Sequence, residues 1–171
     1  LPTVVISASP YTRLMPGLRT TLSSTVTPSP AQTYTWLRNG AAVAGANSGT
    51  LNLDVDGMGD YRLTVTDVNG CTNNSNTISI LDSVSGKCFI YPNPTSGQFQ
   101  VRYHSVANNV LPRSLTVYDA QGNRILTQFY TIGRPYDRMD VDLRKSGKGM
   151  YWVEIGDMNG NRLTMCRVVI Q

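Results

Sequence analysis

The sequence predicts an all-β protein built from two antiparallel β-sandwich domains in tandem. Charged residues make up only 15% of the 171 residues, against about 25% in an average soluble protein. Glu occurs once, at Glu154, so a main component of helices is almost missing, whereas the strand-favouring residues Thr, Val and Tyr are frequent. Apolar and polar residues alternate in short runs bounded by turn residues, which is typical of half-buried strands.

The alternating runs occur in both halves of the chain. Every second residue of a strand faces the same side of a sheet, so the apolar members of each run are expected to form the core. In the first half they are Leu51, Leu53, Val55, Tyr61, Leu63, Val65, Ile78 and Ile80, and in the second half Phe99, Val101, Tyr103, Val141, Leu143, Tyr151, Val153 and Ile155.

Three turns share one pattern, Asp-x-x-Gly, at residues 67–70, 119–122 and 157–160. Asp suits the first turn position because its carboxylate accepts nearby backbone N–H bonds, and Gly suits the last because it tolerates a positive φ. Each turn follows an alternating run. The sequence therefore predicts three β-hairpins.

A domain boundary is expected at residues 82–87, which are small, polar and without periodicity, as linkers are. Residues 1–81 contain four Arg and four Asp and carry no net charge, whereas residues 82–171 contain 11 basic and 7 acidic residues and carry +4. This asymmetry indicates two units with different surfaces. We therefore expect domains at 1–81 and 88–171.

The first domain contains two characteristic segments, Tyr34-Thr-Trp36-Leu-Arg-Asn-Gly40 and Gly59-Asp-Tyr61-Arg-Leu63-Thr-Val65. With these segments it resembles a bacterial immunoglobulin-like domain. The resemblance implies a buried Trp36 and a tyrosine corner at Tyr61, with Leu63 at the place of the usual second Cys. The residue near the place of the first Cys is one of three, Leu22, Ser24 or Val26.

Four segments follow one another in the second domain: Tyr91-Pro92-Asn93-Pro94 with Gly97, the turn segment 115–124, the segment 141–153, and the final strand 164–171. In this order they resemble the C-terminal sorting domain of type IX secretion cargo in Bacteroidota. Arg167 stands where Lys is usual in the family.

This resemblance implies transport rather than catalysis. The domain is expected to act as the outer-membrane translocation signal, recognised by the type IX translocon, an outer-membrane shuttle barrel and a sortase-like peptidase. The peptidase would cut before the domain and attach the cargo to anionic lipopolysaccharide. The expected location is the cell surface, the outer membrane or the medium, after periplasmic transit.

The residues to which the resemblance assigns recognition are Pro92, Asn93, Pro94, Gly97, Asp119, Gly122, Gly149, Tyr151, Arg167, Val168, Val169 and Ile170. The expected cleavage segment consists of Ser83, Val84, Ser85, Gly86 and Lys87, because a cleavable segment must be exposed and pliable. The final strand is also expected to offer unpaired backbone groups at a sheet edge to a receptor.

Two other functions stay open. The sorting domain can be retained, so that the chain acts as an adaptor or signalling component of the secretion machinery. Alternatively, the immunoglobulin-like domain is an adhesin module that binds a glycan or a host protein rather than a spacer. Since the chain does not begin with Met, we expect it to be part of a longer or processed protein.

Catalysis, cofactors and metal ions are not expected. His occurs once, at His104, and Glu once, although these side chains do most acid–base work. Asp54, Asp56 and Asp60 lie near glycines, but they lack the full Ca²⁺ loop pattern. We expect no nucleic-acid binding, because the basic half lacks the groove-reading helix or paired aromatic motif of known nucleic-acid modules. We also expect no transmembrane segment, because no apolar run approaches about 20 residues.

The three cysteines leave the pairing open. Cys166 alternates with Val168 and Ile170, which favours a small buried apolar residue. A Cys71–Cys88 bridge is an alternative, although the strand spacing places the two far apart. A zinc site or a Cys–His pair formed by Cys88, Cys166 and His104 has little support.

Overall fold

A computed structural model describes residues 1–28, 30–104 and 111–171. The chain divides into two compact units, Leu1–Ser83 and Val84–Gln171. Every regular element of the described residues is a strand, apart from one 3₁₀ turn at Val55–Gly57. The all-β prediction is therefore confirmed.

The first unit is a sandwich of two sheets. The smaller sheet has the order β1-β3-β6, and the larger has the order β2-β9-β7-β4-β5 with β8 paired to β7. The pairs are antiparallel except for the short parallel pair of β2 with β9. The strands are β1 (Thr3–Ser9), β2 (Arg13–Leu14), β3 (Thr20–Thr27), β4 (Thr33–Arg38), β5 (Ala41–Ala42), β6 (Thr50–Leu53), β7 (Gly59–Thr66), β8 (Thr72–Asn74) and β9 (Ile78–Asp82).

Trp36 forms the centre of the first core. It is fully buried on β4 beside Leu63 of β7, and its indole N–H donates to the Ser48 carbonyl at 2.8 Å. Of the candidates for the place of the first Cys, Leu22 is fully buried and Val26 is 8% exposed. Apolar packing thus fills the place where many immunoglobulin domains hold a disulfide.

Tyr61 forms the predicted tyrosine corner. Its ring is buried, and its hydroxyl donates to the Gly57 carbonyl, four residues upstream, at 2.5 Å. Burial raises the pKa of Tyr61, so this hydroxyl remains a donor at neutral pH. The carboxylates nearby have local partners, since Asp54 accepts from the Asp56 N–H and Asp60 accepts from the Ser79 hydroxyl.

The second unit is also a sandwich, in which every strand pair is antiparallel. One sheet has the order β10-β11-β14 and the other β13-β12-β15-β16. The strands are β10 (Phe89–Tyr91), β11 (Gln98–Arg102), β12 (Leu111–Tyr118), β13 (Arg124–Ile132), β14 (Met139–Asp142), β15 (Gly149–Gly156) and β16 (Arg162–Ile170). Fully buried side chains between the sheets are Val101, Leu115, Val117, Val153, Ile155 and Val168.

The three Asp-x-x-Gly turns close the hairpins β7–β8, β12–β13 and β15–β16, as predicted. In each, one carboxylate oxygen accepts from the N–H groups two and four residues ahead, at 2.8 to 2.9 Å. The turn glycines all have φ between 79° and 85°, a conformation that other residues rarely adopt.

The start of the expected linker lies inside the first unit. Asp82 is the last residue of β9 and pairs with Leu14. The Ser83 N–H donates to the Leu14 carbonyl at 2.7 Å. The segment outside regular structure therefore begins one to two residues later than the sequence suggests, because the sheet holds two polar residues that carry no strand signal.

Replacing Tyr61 with Phe removes the corner hydrogen bond and leaves a half-buried carbonyl without its donor. We expect the first unit to lose about 1 kcal/mol of unfolding free energy. The measurement is guanidinium unfolding followed by Trp36 fluorescence in a Trp152→Phe background. Tyr11→Phe, at an exposed tyrosine of the same unit, is the matched control. Equal midpoints for the two variants would contradict the corner.

Candidate functional site

The opening motif of the second unit is bonded to the outer edge of the terminal strand β16. The Asn93 amide N–H donates to the Arg167 carbonyl at 2.9 Å, and the Asn93 amide oxygen accepts from the Val169 N–H at 3.1 Å. Two residues on, the Thr95 N–H donates to the Val169 carbonyl, and the Gln171 N–H donates to the Thr95 carbonyl, both at 2.9 Å. The motif therefore continues the sheet beyond β16.

The two prolines explain why a side chain makes this connection. Pro92 and Pro94 have no backbone N–H and cannot donate to a sheet ladder. Both X–Pro bonds in the motif are cis. Between them, the Asn93 amide supplies one donor and one acceptor in the places where a strand would use its backbone.

Thr95 and Gly97 complete the turn from the motif into β11. Thr95 is buried, and its hydroxyl donates to the Gln98 carbonyl at 2.7 Å. Gly97 has a φ of 121°, and a Cβ built there would lie 2.9 Å from the Arg144 Cα. A larger residue at 97 would therefore clash with the backbone that follows β14.

Tyr151 has a structural position rather than an accessible one. It is 5% exposed, and its hydroxyl lies 2.6 Å from the Ser146 carbonyl and 3.0 Å from the Gly147 carbonyl. Gly149 opens β15 and pairs with Ile170 of β16. These two residues therefore fix the loop 143–148 beside the end of the chain.

Strand register brings the sequence-predicted recognition residues to one end of the second unit. Tyr118 pairs with Trp152, and Trp152 pairs with Arg167, so the turn at Asp119 and Gly122 lies at the end where β16 finishes. We call residues 92–97, 118–124, 143–149 and 167–171 the motif end. The resemblance alone did not reveal that its four segments meet there.

Five exposed cations lie at the motif end; apart from Arg144, they are Arg124, Lys145, Lys148 and Arg167. Among the described residues, none of these four has an acidic partner in an ion pair. The acids here have local partners: Arg144 pairs with Asp142 at 2.7 Å and lowers the pKa of that carboxyl to about 2. Hydrogen bonds from Asn123 lower the pKa of Asp119. The motif end therefore has a positive surface.

The expectation of a free terminal edge is wrong for the last residues of β16. The outward backbone groups of Val169 and the Arg167 carbonyl are already bonded to the motif. Val168 and Ile170 face the core, whereas Arg167 and Val169 face outward. Along the rest of β16, no described strand pairs with the outer edge, so an open edge remains only near residues 162–166.

Cys88 and Cys166 form a disulfide, with their Cα atoms 6.0 Å apart, whereas Cys71 is free. The interpretation of Cys166 as a small apolar residue is therefore wrong, as are the Cys71–Cys88 alternative and the zinc or Cys–His alternative. Cys88 precedes β10 and Cys166 lies in β16, so the bond links the two sheets. Among the described residues, no group of three His, Cys, Asp or Glu could hold a metal ion.

The expected cleavage segment differs along its length. Ser83 is bonded to the first unit, as described above. Val84 is 76% exposed, and Gly86 and Lys87 are exposed. The Lys87 N–H donates to the Ser85 hydroxyl at 3.1 Å.

In the part of the chain that the structure describes, no helix is long and apolar enough to cross a membrane.

The fold and the site define a class: a tandem β-sandwich chain whose second unit joins a Pro-Asn-Pro motif to the end of its last strand. Residues 89–171, within the second unit, match the family model described as "Secretion system C-terminal sorting domain". This confirms the type IX resemblance. Residues 89–171 are thus a sorting signal for export to the cell surface or the medium.

Several solved structures are similar to the chain at low identity. Dimeric latent PorU from Porphyromonas gingivalis shares 16% identity with a TM-score of 0.39, over 99% of this chain and 20% of that one. The Clostridium thermocellum CbhA fibronectin(III)-like modules share 13% identity with a TM-score of 0.40, over 99% of this chain and 94% of theirs. The chain thus spans about a fifth of the PorU chain. A search of the curated proteins found no match.

Replacing Asn93 with Ala removes both bonds between the motif and β16. We expect the second unit to lose about 1–2 kcal/mol, with faster hydrogen exchange at residues 167–171 and above all at the Val169 amide. The measurement is hydrogen exchange read by NMR. Asn159→Ala is the control, because that side chain has no hydrogen bond among the described residues. If both variants exchange alike, the Asn93 bridge does not hold the strand.

The disulfide closes a loop with a sequence separation of 78 residues. In the chain-entropy model, losing such a link costs about 4 kcal/mol. We expect Cys88→Ser with Cys166→Ser to lower the calorimetric transition of the second unit and leave that of the first unchanged. Cys71→Ser is the control. The denatured wild-type chain should titrate one thiol, and three titrated thiols would show that the bond is absent.

Proposed function

We propose that the motif end is the surface by which the type IX translocon, the outer-membrane shuttle barrel and the sortase-like peptidase recognise the second unit. The observation that carries the proposal is the join of Asn93 and Thr95 to residues 167–171. Two motifs far apart in sequence form one surface there. A receptor that binds this surface contacts both motifs at once. Because the two motifs are adjacent only in the folded unit, such a receptor selects folded sorting units.

The charge of the motif end supports an acidic partner surface. Arg124, Lys145, Lys148 and Arg167 are exposed and lie on three neighbouring segments. Complementary charge of this kind accelerates encounter and excludes wrong partners more than it adds affinity. The open edge of β16 near residues 162–166 offers a second contact by strand addition.

The segment 84–87 is the proposed cleavage site. It begins the second unit, ahead of β10, and is largely exposed, which suits a peptidase that must bind an extended chain. A cut there precedes Cys88, so both disulfide cysteines stay with the released unit. Transfer of the upstream part to anionic lipopolysaccharide would then anchor the cargo at the surface.

The first unit acts in this proposal as a spacer between the sorting signal and the cargo, and the chain carries no catalysis of its own. A retained sorting unit would instead make the chain an adaptor of the secretion machinery. The intact mass of the protein at the cell surface distinguishes the two alternatives. A mass lower by about 88 residues indicates a cleaved cargo protein, and the mass of the uncleaved chain indicates an adaptor.

The export test joins a signal-bearing reporter enzyme to residues 1–171 in a bacterium with a working type IX system. We expect the reporter to become accessible to protease on intact cells. The double variant Lys148→Ala/Arg167→Ala should reduce display about tenfold or more, since steering by charge changes encounter rates by that order. Equal expression and periplasmic solubility are checked for each fusion.

The matched control is Arg134→Ala/Arg138→Ala, which removes the same charge at exposed positions outside both the motif end and the open edge of β16. Unchanged display in this control, with loss in the other, supports recognition at the motif end. If the two double variants lose surface display equally, the location of the charge does not matter, and the proposal that the motif end is the recognition surface is wrong. If the unaltered fusion stays in the periplasm, the whole proposal fails.

A further inference from the structure

A second surface of the sorting unit lies on the outer face of the sheet β10-β11-β14 and takes no part in the motif end's contacts with β16. A cleft of about 450 Å³ lies on this face, within the usual range for ligand sites. Its lining includes Tyr91, Gln98, Gln100, Gln128, Asp140 and Asp142.

Strand register aligns these side chains in rows. Tyr91 pairs with Gln100, and Gln100 pairs with Asp140, so an aromatic ring, an amide and a carboxylate lie side by side across three strands. Gln98 pairs with Asp142 in the next outward row. The residues between them, Phe99 and Val141, are buried in the core. The cleft therefore combines an aromatic group with a polar floor.

Tyr91 provides the exposed aromatic part of this surface, next to Pro92. Its side chain is 72% exposed, although burying such a ring would stabilise the fold. A tyrosine held at the surface beside a cleft can cover the apolar C–H face of a pyranose ring, while its hydroxyl stays in water. The sequence identified Tyr91 as part of the Tyr-Pro-Asn-Pro motif but did not predict that its ring lies exposed beside a cleft.

The polar groups of the cleft are fixed in advance by their neighbours. Arg102 donates to the Gln100 amide oxygen at 2.8 Å, which leaves the Gln100 NH₂ group without an acceptor among the described residues. The Tyr130 hydroxyl lies 2.5 Å from the Gln128 amide oxygen, and the Gln128 NH₂ group remains available as a donor to a ligand. Neighbouring donors and carboxylate acceptors of this kind match vicinal sugar hydroxyls.

Charge balance argues for a neutral ligand. Asp140 pairs with Arg138 at 2.6 Å, and Asp142 pairs with Arg144 at 2.7 Å. The two acids and two bases cancel, so the cleft has no excess charge to attract a phosphate or a uronic acid. We propose that this face of the sorting unit binds a neutral oligosaccharide. The proposal does not rest on the proposed export function.

The test uses the full chain, residues 1–171, with defined neutral hexasaccharides of glucose, mannose, xylose and N-acetylglucosamine in α and β linkages. Titration is followed by calorimetry and by the backbone NMR signals of Tyr91, Gln100 and Asp140. We expect at least one hexasaccharide to bind with a Kd below about 1 mM and to shift these signals. Binding of none overturns the proposal.

Variants separate a built site from adhesion to any aromatic surface. Tyr91→Ala should weaken binding about tenfold, Tyr91→Phe should retain it, and Gln100→Ala should weaken it. Phe129→Ala is the control, because Phe129 is 66% exposed on β13 but does not line the cleft. Equal effects of Tyr91→Ala and Phe129→Ala, or preference for oligogalacturonate, would contradict the proposal. The NMR spectrum of each free variant checks its fold.

Discussion

The second unit depends on a single amide side chain that compensates for two prolines. Pro92 and Pro94 remove two backbone donors from the segment that lies along β16, so the backbone around Asn93 cannot form a regular strand ladder there. Asn93 restores one donor and one acceptor, and the backbone of Thr95 continues the pairing to Gln171. The last residues of the chain are therefore ordered by residues more than seventy positions earlier.

This arrangement explains why scattered motif residues can serve one function. Tyr151 and Gly97 do not face a partner; they hold the loop 143–148 and the approach of β11 to the end of β14. Asp119 keeps its carboxylate within its own turn. The outward groups are the basic side chains that these residues position. Some residues of the motif end and its neighbours thus fix the shape of this surface, whereas other residues supply its charge.

Local patterns predicted the parts of the fold that depend on local chemistry. The three Asp-x-x-Gly hairpins and the alternating cores each follow from neighbouring residues, whereas the corner at Tyr61 was implied by the resemblance to an immunoglobulin-like domain. The Cys88–Cys166 bond could not be predicted this way, because its partners are brought together only when two different sheets pack. The same holds for the partly covered edge of β16, and for Tyr91, whose outward direction depends on pairing with Gln100 and Asp140.

The bond between Cys88 and Cys166 also closes most of the sorting unit into a covalent ring. A ring cannot be drawn through a pore in single file, because at least two lengths of chain must enter abreast. A conduit for this unit must therefore be wide enough for a folded sandwich or for a doubled chain, unless the bond is first reduced. The two cysteines thus set a lower limit on the width of any passage through which the oxidised unit travels.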